Sequence, residues 1–248
     1  MADELHVVTQ EGDLDGPPIV VVHGAMDRSS SFGRVARRLR DLTVVRYDRQ
    51  GYGNSRPGSV VSLEQHADDL VEVIDDRPSL LVGHSIGGVI ALMVAERRPD
   101  LVAGVVTHEP PTPWEPWWPT DPDADQDRSA EDEAERFMIS MVGERIWGRL
   151  PARTREARRS EGPALRGDVE SVAGPDSPFD PSAIRPPVIC TAGSEATWWH
   201  RRAAEELAGL IEDAEFIEID GTNHGVHLTH PGALADLTRA LHGRVSAG

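Results

Sequence analysis

Cysteine is almost missing from these 248 residues: Cys190 stands alone, so no intrachain disulfide can form and burial must hold the fold. Lysine is absent altogether. The 25 basic residues are all arginine, a pattern we attribute to coding bias, and they face 42 acidic side chains for a formal net charge of −17. Such a deficit of positive charge excludes nucleic acid and anionic lipid as expected partners, and argues against polyanionic substrates such as acyl-coenzyme A esters. No span approaches the roughly 18 uninterrupted apolar residues that a membrane-crossing helix needs. Residues 1–5 lack the charged and apolar regions of a secretory signal, so a reducing cytoplasm is the expected location. There is no internal repeat, metal-ligand cluster or phosphate-cradling loop, and neither a metal nor a cofactor is expected. The expected partner is a small-molecule substrate, with a homodimer left open.

What is present is an alternation of strand-like and helix-like segments, the mark of a parallel sheet covered on both faces. Strand-like, largely apolar segments occur at residues 18–22, 42–45, 79–82, 102–107, 187–191 and 216–219. Between them lie amphipathic stretches: Phe32, Val35 and Leu39; then Leu63, Leu70, Val73 and Ile74 behind a Ser62…Gln65 capping box; and Leu234, Leu237 and Leu241 near the C-terminus. The length suits one α/β domain with an insertion. Cys190 lies inside an apolar strand and reads as a core residue.

The most informative segment is Gly83-His84-Ser85-Ile86-Gly87, directly after the apolar run 79–82 and before a helix-forming stretch over residues 86–96. A strand that turns so sharply into a helix strains its apex residue and leaves no room for a Cβ two positions to either side. Its product is a hydroxyl lifted clear of the sheet at a helix N-terminus, where negative charge is stabilised. Ser85 therefore reads as a nucleophile. Upstream, the run 18–22 ends in His23-Gly24-Ala25-Met26, and the N–H of Ala25 would pair with that of Ile86 as an oxyanion hole, with Met26 as the alternative donor. Asp48 and Arg49, in the run 47–55, are read as organisers of their loop. Near the C-terminus a strand precedes Gly221-Thr222-Asn223-His224. His224, rather than His227 or His230, has the placement to reach an elbow serine and act as its base.

Together these motifs, in this order, resemble the α/β-hydrolase family, over residues 5–110 and 186–243. The resemblance implies an α/β-hydrolase fold with a mostly parallel eight-stranded sheet flanked by helices. Residues 1–110 and 186–248 would form the core and 111–185 a helical cap over the active site. It also implies a Ser–acid–His triad in that chain order, which Ser85 and His224 respect. The family usually carries its acid after the penultimate strand, about three residues past the glycine; here that position is Ala196. Glu109, at the end of the preceding strand and backed by Pro110 and Pro111, is the preferred acid. Glu195 is the alternative, while Asp220 or a dyad without carboxylate stays open.

The tryptophans concentrate near this face. Trp114, Trp117, Trp118 and Trp147 fall in the implied cap, and Trp198 and Trp199 follow the penultimate strand. An apolar, aromatic-walled pocket is expected from them, with some of the six simply packing the cap onto the core. The acidic run 121–135 reads as a solvated surface. The expected chemistry is acyl transfer: His224 deprotonates Ser85, which attacks an ester-like carbonyl of a small apolar or aromatic molecule. Two alternatives remain open at this stage. One is other chemistry at the same residues, such as C–C bond hydrolysis, lactonisation or perhydrolysis; the other is a catalytically idle ligand-binding member.

Overall fold

The computed structural model describes residues 5–55, 59–120 and 127–247. Its seven strands are β1 (Val7–Gln10), β2 (Ile19–Val22), β3 (Val44–Tyr47), β4 (Ser79–His84), β5 (Val102–His108), β6 (Val188–Gly193) and β7 (Ala214–Ile219). They form one sheet in the order β1-β3-β2-β4-β5-β6-β7, parallel throughout except for β1, which runs antiparallel to β3. The expected eighth strand is not found among the described residues. After β1 the chain enters the polar segment 11–18, which holds two glycines and two prolines and has no alternating apolar face, so the sheet edge ends there.

The central strands read as unbroken apolar runs because both of their faces are covered. Val20, Val22, Leu81, Val188 and Cys190 point to one apolar core, Ile19, Val21, Leu80, Val82 and Ile189 to the other. Helices α1 (Gly33–Arg38), α2 (Leu63–Ile74) and α3 (Ile86–Arg97) follow β2, β3 and β4. Residues 86–95 of α3 are all buried, because α2 packs over the surface left free by the sheet. The start of α2 differs in one detail from a capping box. Ser62 Oγ accepts from the Gln65 N–H, but the Gln65 side chain turns forward and donates to Asp69.

Between β5 and β6 the chain makes a helical excursion: α4 (Ala130–Val142), α5 (Glu144–Trp147), α6 (Ala152–Arg159) and α7 (Gly162–Val172). Helices α4 and α5 are separated at Gly143, where φ is +82°. Residues 121–126 of the acidic run lie outside the described residues. The chain closes with α8 (Trp198–Leu210), the short α9 (Val226–Thr229) and α10 (Pro231–Ser246). Among the described residues no helix is long and apolar enough to cross a membrane.

Two consequences of this topology position the site. Chain order reverses at β2: β3 lies on one side and β4 on the other, so the loops leaving β2 and β4 flank a crevice at the carboxyl ends of the strands. The registers Val22↔Gly83 and His84↔His108 then bring the ends of β2, β4 and β5 level.

Candidate active site

Ser85 leaves β4 with φ +53° and ψ −130°, a conformation an L residue adopts only under constraint. Its N–H donates to the His108 carbonyl, and its own carbonyl accepts from Gly88 N–H. The flanking glycines are steric necessities. A Cβ on Gly83 would lie 2.5 Å from Gly88 Cα, and one on Gly87 would meet the Val22 carbonyl oxygen at 2.2 Å. Neither neighbour is a flexible side chain, so the turn and the crossing of α3 over β2 depend on both.

One strand along, Glu109 leaves β5 with φ +48° and is fully buried. The matching bends at the ends of adjacent strands set the two residues side by side. Glu109 Oε2 accepts from His224 Nδ1 at 2.8 Å, while Oε1 accepts from Gly193 N–H at 3.1 Å and lies 3.3 Å from His108 Nε2. Burial alone would raise its carboxyl pKa, but hydrogen bonds from the two imidazoles outweigh that, and it stays ionised well below the usual carboxylate range. Since His224 donates its Nδ1–H to Glu109 in this hydrogen bond, its Nε2 keeps the lone pair that a base needs. The backbone of His224 is tied down as well: its carbonyl accepts from His84 Nε2 at 2.7 Å, which links it to the residue next to Ser85.

The other candidate acids are placed elsewhere. Glu195 and Asp220 are exposed, and neither contacts an imidazole among the described residues. His227 is turned toward Asp27, and His230 toward Thr229. On the loop after β2, Ala25 is partly exposed, and Met26 is buried with φ +54°. Among the described residues neither the Ala25 nor the Ile86 N–H has an intramolecular acceptor, which leaves both available to an incoming oxygen.

Asp48 and Arg49 hold loops. Asp48 accepts from the N–H groups of Ser29 and Asn54. Arg49, fully buried, pairs bidentately with Asp168 of α7 at 2.7 and 3.0 Å, and Asp168 also accepts from Tyr52. Burial opposes both charges, yet each stabilises the other enough to keep Asp168 low and Arg49 high. His23, whose Nε2 accepts from Arg49 N–H, is driven down to about 4 by burial and by the neighbouring guanidinium. A second tie between excursion and core runs through Glu161, which accepts from Arg28 and Gly53; Arg158 reaches the Met26 carbonyl.

The tryptophans separate into three groups. Trp118 packs edge-on against His200 at 5.3 Å between centroids, and Trp199 lies 6.0 Å from the same ring. His200 in turn stacks on His224 at 4.8 Å, so these two indoles border the site. Trp117 and Trp198 form an outer layer, with Arg202 over the Trp117 ring. Trp147 is buried, its indole N–H on Glu135, and Trp114 packs on Phe179 beside a separate cleft with Thr112, Ala203 and Leu207. A concavity of about 340 Å³ between Pro17, Pro78, Ala103 and Val245 sits at the opposite, amino ends of the strands. Ligands of such sheets bind at the carboxyl ends, so we give it no role in the chemistry. Sequence reasoning missed His200 and Asp168; both lie in segments where the only signal was a titratable residue on a helix.

A family model described as the alpha/beta hydrolase family matches residues 19–237. The chain belongs to this family. Among curated relatives, an uncharacterized hydrolase, YraK, of Bacillus subtilis is 36% identical over 102 residues, 38% of each chain. The lipase LipV of Mycobacterium tuberculosis is 31% identical over 114 residues, 44% of this chain and 43% of that one. Human monoglyceride lipase is 35% identical over 103 residues, 37% of this chain and 34% of its own. The matched parts thus span well under half of these relatives. Full-length likeness comes from solved structures. An enol-lactonase from Burkholderia xenovorans aligns with TM-score 0.74 at 19% identity, covering 96% of this chain and 95% of that one. A thermophilic esterase from Thermogutta terrifontis aligns with TM-score 0.71 at 21% identity, covering 98% and 94%. At such identities the likeness is one of alpha/beta hydrolase fold.

Proposed function

We propose that the protein is a serine hydrolase that cleaves an ester-like bond, a carboxylic ester or lactone, of a small apolar or aromatic molecule. The observation that carries this reading is the 2.8 Å hydrogen bond from His224 Nδ1 to the buried carboxylate of Glu109, set beside a serine strained at φ +53°. His224 Nε2 takes the Ser85 proton, and Oγ adds to the carbonyl carbon. The resulting oxyanion is held by the N–H groups of Ala25 and Ile86. Collapse expels the alcohol, which receives the proton from His224, and water then releases the acyl group from Ser85 with His224 again as base. The ionised Glu109 stabilises the imidazolium in both half-reactions. Trp118 and Trp199, next to His200, form the aromatic wall we assign to the substrate pocket. The excursion 111–185 acts as the cap, fastened to the oxyanion loop through Arg158 and Glu161. The lipase and lactonase names among the similar proteins agree with an acyl substrate.

The test is covalent. A fluorophosphonate probe is expected to label Ser85 stoichiometrically, and wild type to hydrolyse p-nitrophenyl butyrate with a burst that Ser85→Ala abolishes. A folded protein that is neither labelled nor active would identify it instead as a binding member of the family.

A further inference from the structure

Beside the oxyanion loop lies a cluster that acyl transfer leaves unused. Asp27 follows Ala25 and Met26, His84 precedes Ser85, and His227 opens α9. One ligand atom from each of the three lies within 4.8 Å of the others. Both imidazoles are deeply buried, His84 at 5% exposure and His227 at 3%. Burial of polar atoms normally comes with hydrogen bonds, yet Asp27 Oδ2, His84 Nδ1 and both ring nitrogens of His227 have none. Asp27 Oδ2 and His227 Nε2 approach to 3.1 Å without hydrogen-bond alignment. Nor is the tautomer of His84 free. Its Nε2–H is committed to the His224 carbonyl, so Nδ1 presents a lone pair to a space that offers it no donor. A buried polar group left unsatisfied destabilises the fold, and here several are gathered in one place.

We propose that Asp27, His84 and His227 bind a divalent transition-metal ion, with Zn²⁺ the best match. Two neutral imidazoles and a carboxylate are a common three-ligand set for zinc, and the fourth position would go to water. Nearby groups favour this chemistry. The His84–carbonyl hydrogen bond is the outer contact that typically orients a ligating imidazole. Phe32 stacks on His227 at 4.4 Å and fixes the plane of that ring. Asp27 is 15% exposed and provides the entry. A bound ion would join the loop carrying Ala25, the serine elbow and the segment after His224. None of this requires Ser85 to be a nucleophile.

The experiment uses chelator-treated full-length protein carrying Ser85→Ala, titrated with Co²⁺ and followed by its visible d–d absorption, then with Zn²⁺ by calorimetry. We expect one equivalent of tightly bound metal with the spectrum of a four-coordinate ion. Asp27→Asn and His227→Gln should each weaken binding by at least tenfold, while His200→Gln leaves it unchanged. The last variant separates this cluster from Glu109, His200 and His224, whose ligand atoms also lie close together. Absence of binding by the parent protein overturns the proposal whatever the variants do. So does unaltered affinity in Asp27→Asn, which is nearly isosteric and decides the matter if His227→Gln fails to fold. Loss of binding in His200→Gln would move the metal to the other cluster and likewise refute the assignment.

Discussion

Replacing Glu109 by Gln removes one charge and almost no volume, and the structure says how the substitution acts. Gly193 N–H donates to Oε1, so the amide oxygen of the new side chain will settle there and its NH₂ will face His224 Nδ1. Two donors cannot share that contact. The imidazole must place its proton on Nε2, the wrong tautomer for deprotonating Ser85. Charge counts as well: a carboxylate 2.8 Å from the imidazolium contributes about 6 kcal/mol at an effective dielectric of about 20. At about 1.4 kcal/mol per decade, that is a fall in kcat of about ten-thousandfold. KM should stay within about threefold, because the interaction is made with the charged transition state rather than with bound substrate. The assay is steady-state hydrolysis of p-nitrophenyl butyrate, together with the rate of fluorophosphonate labelling of Ser85. Glu195→Gln, an exposed residue with no imidazole contact, should remain within about threefold of wild type. The reasoning is refuted if Glu109→Gln keeps activity within that margin while Glu195→Gln collapses.

Two further outcomes concern stability. Asp168→Asn strands the fully buried Arg49 without its counter-charge and should destabilise the protein by about 3–5 kcal/mol in urea unfolding; a loss below about 1 kcal/mol would mean that the pair is dispensable. Acid should weaken the fold well before the carboxylates titrate. His23 and His200 are both depressed by burial, to about 4 and about 3 from 6.5, so below pH 6.5 the unfolded chain takes up protons that the native state refuses. By pH 5.5 each forfeits about 1.4 kcal/mol, together about 3, relative to pH 8. Equilibrium unfolding at the two pH values measures this, and flat stability across the interval would show that these rings are not held neutral.

Much of the site was legible in the chain because close approach leaves a signature in residue type. Gly83 and Gly87 are read directly from the steric demands of the elbow, and the apolar runs of β2, β4 and β6 from coverage of both sheet faces. Glu109 was identifiable as a carboxylate at a strand end, but its competition with Glu195 could not be decided along one dimension. Register separates the two positions: β4 and β5 end level, so Ser85 and Glu109 emerge side by side, while Glu195 lies in a loop whose side chain turns to solvent. The aromatic residues show the opposite case. Six tryptophans near one face suggested a pocket lining shared with packing residues, but which did which was not legible along the chain: Trp118 and Trp199 pack by His200, and Trp147 is turned inward onto Glu135.

Sequence by itself determined the parallel α/β plan and the strained serine turn between β4 and α3, because each depends on local sterics or on periodicity along the backbone. Only the tertiary structure brought Glu109 against His224, tied α7 to the core through Asp168 and Arg49, and gathered Asp27, His84 and His227. Those groupings join residues 119 and up to 200 positions apart. Their energies depend on distance and burial in three dimensions, and the order of residues along a chain encodes neither.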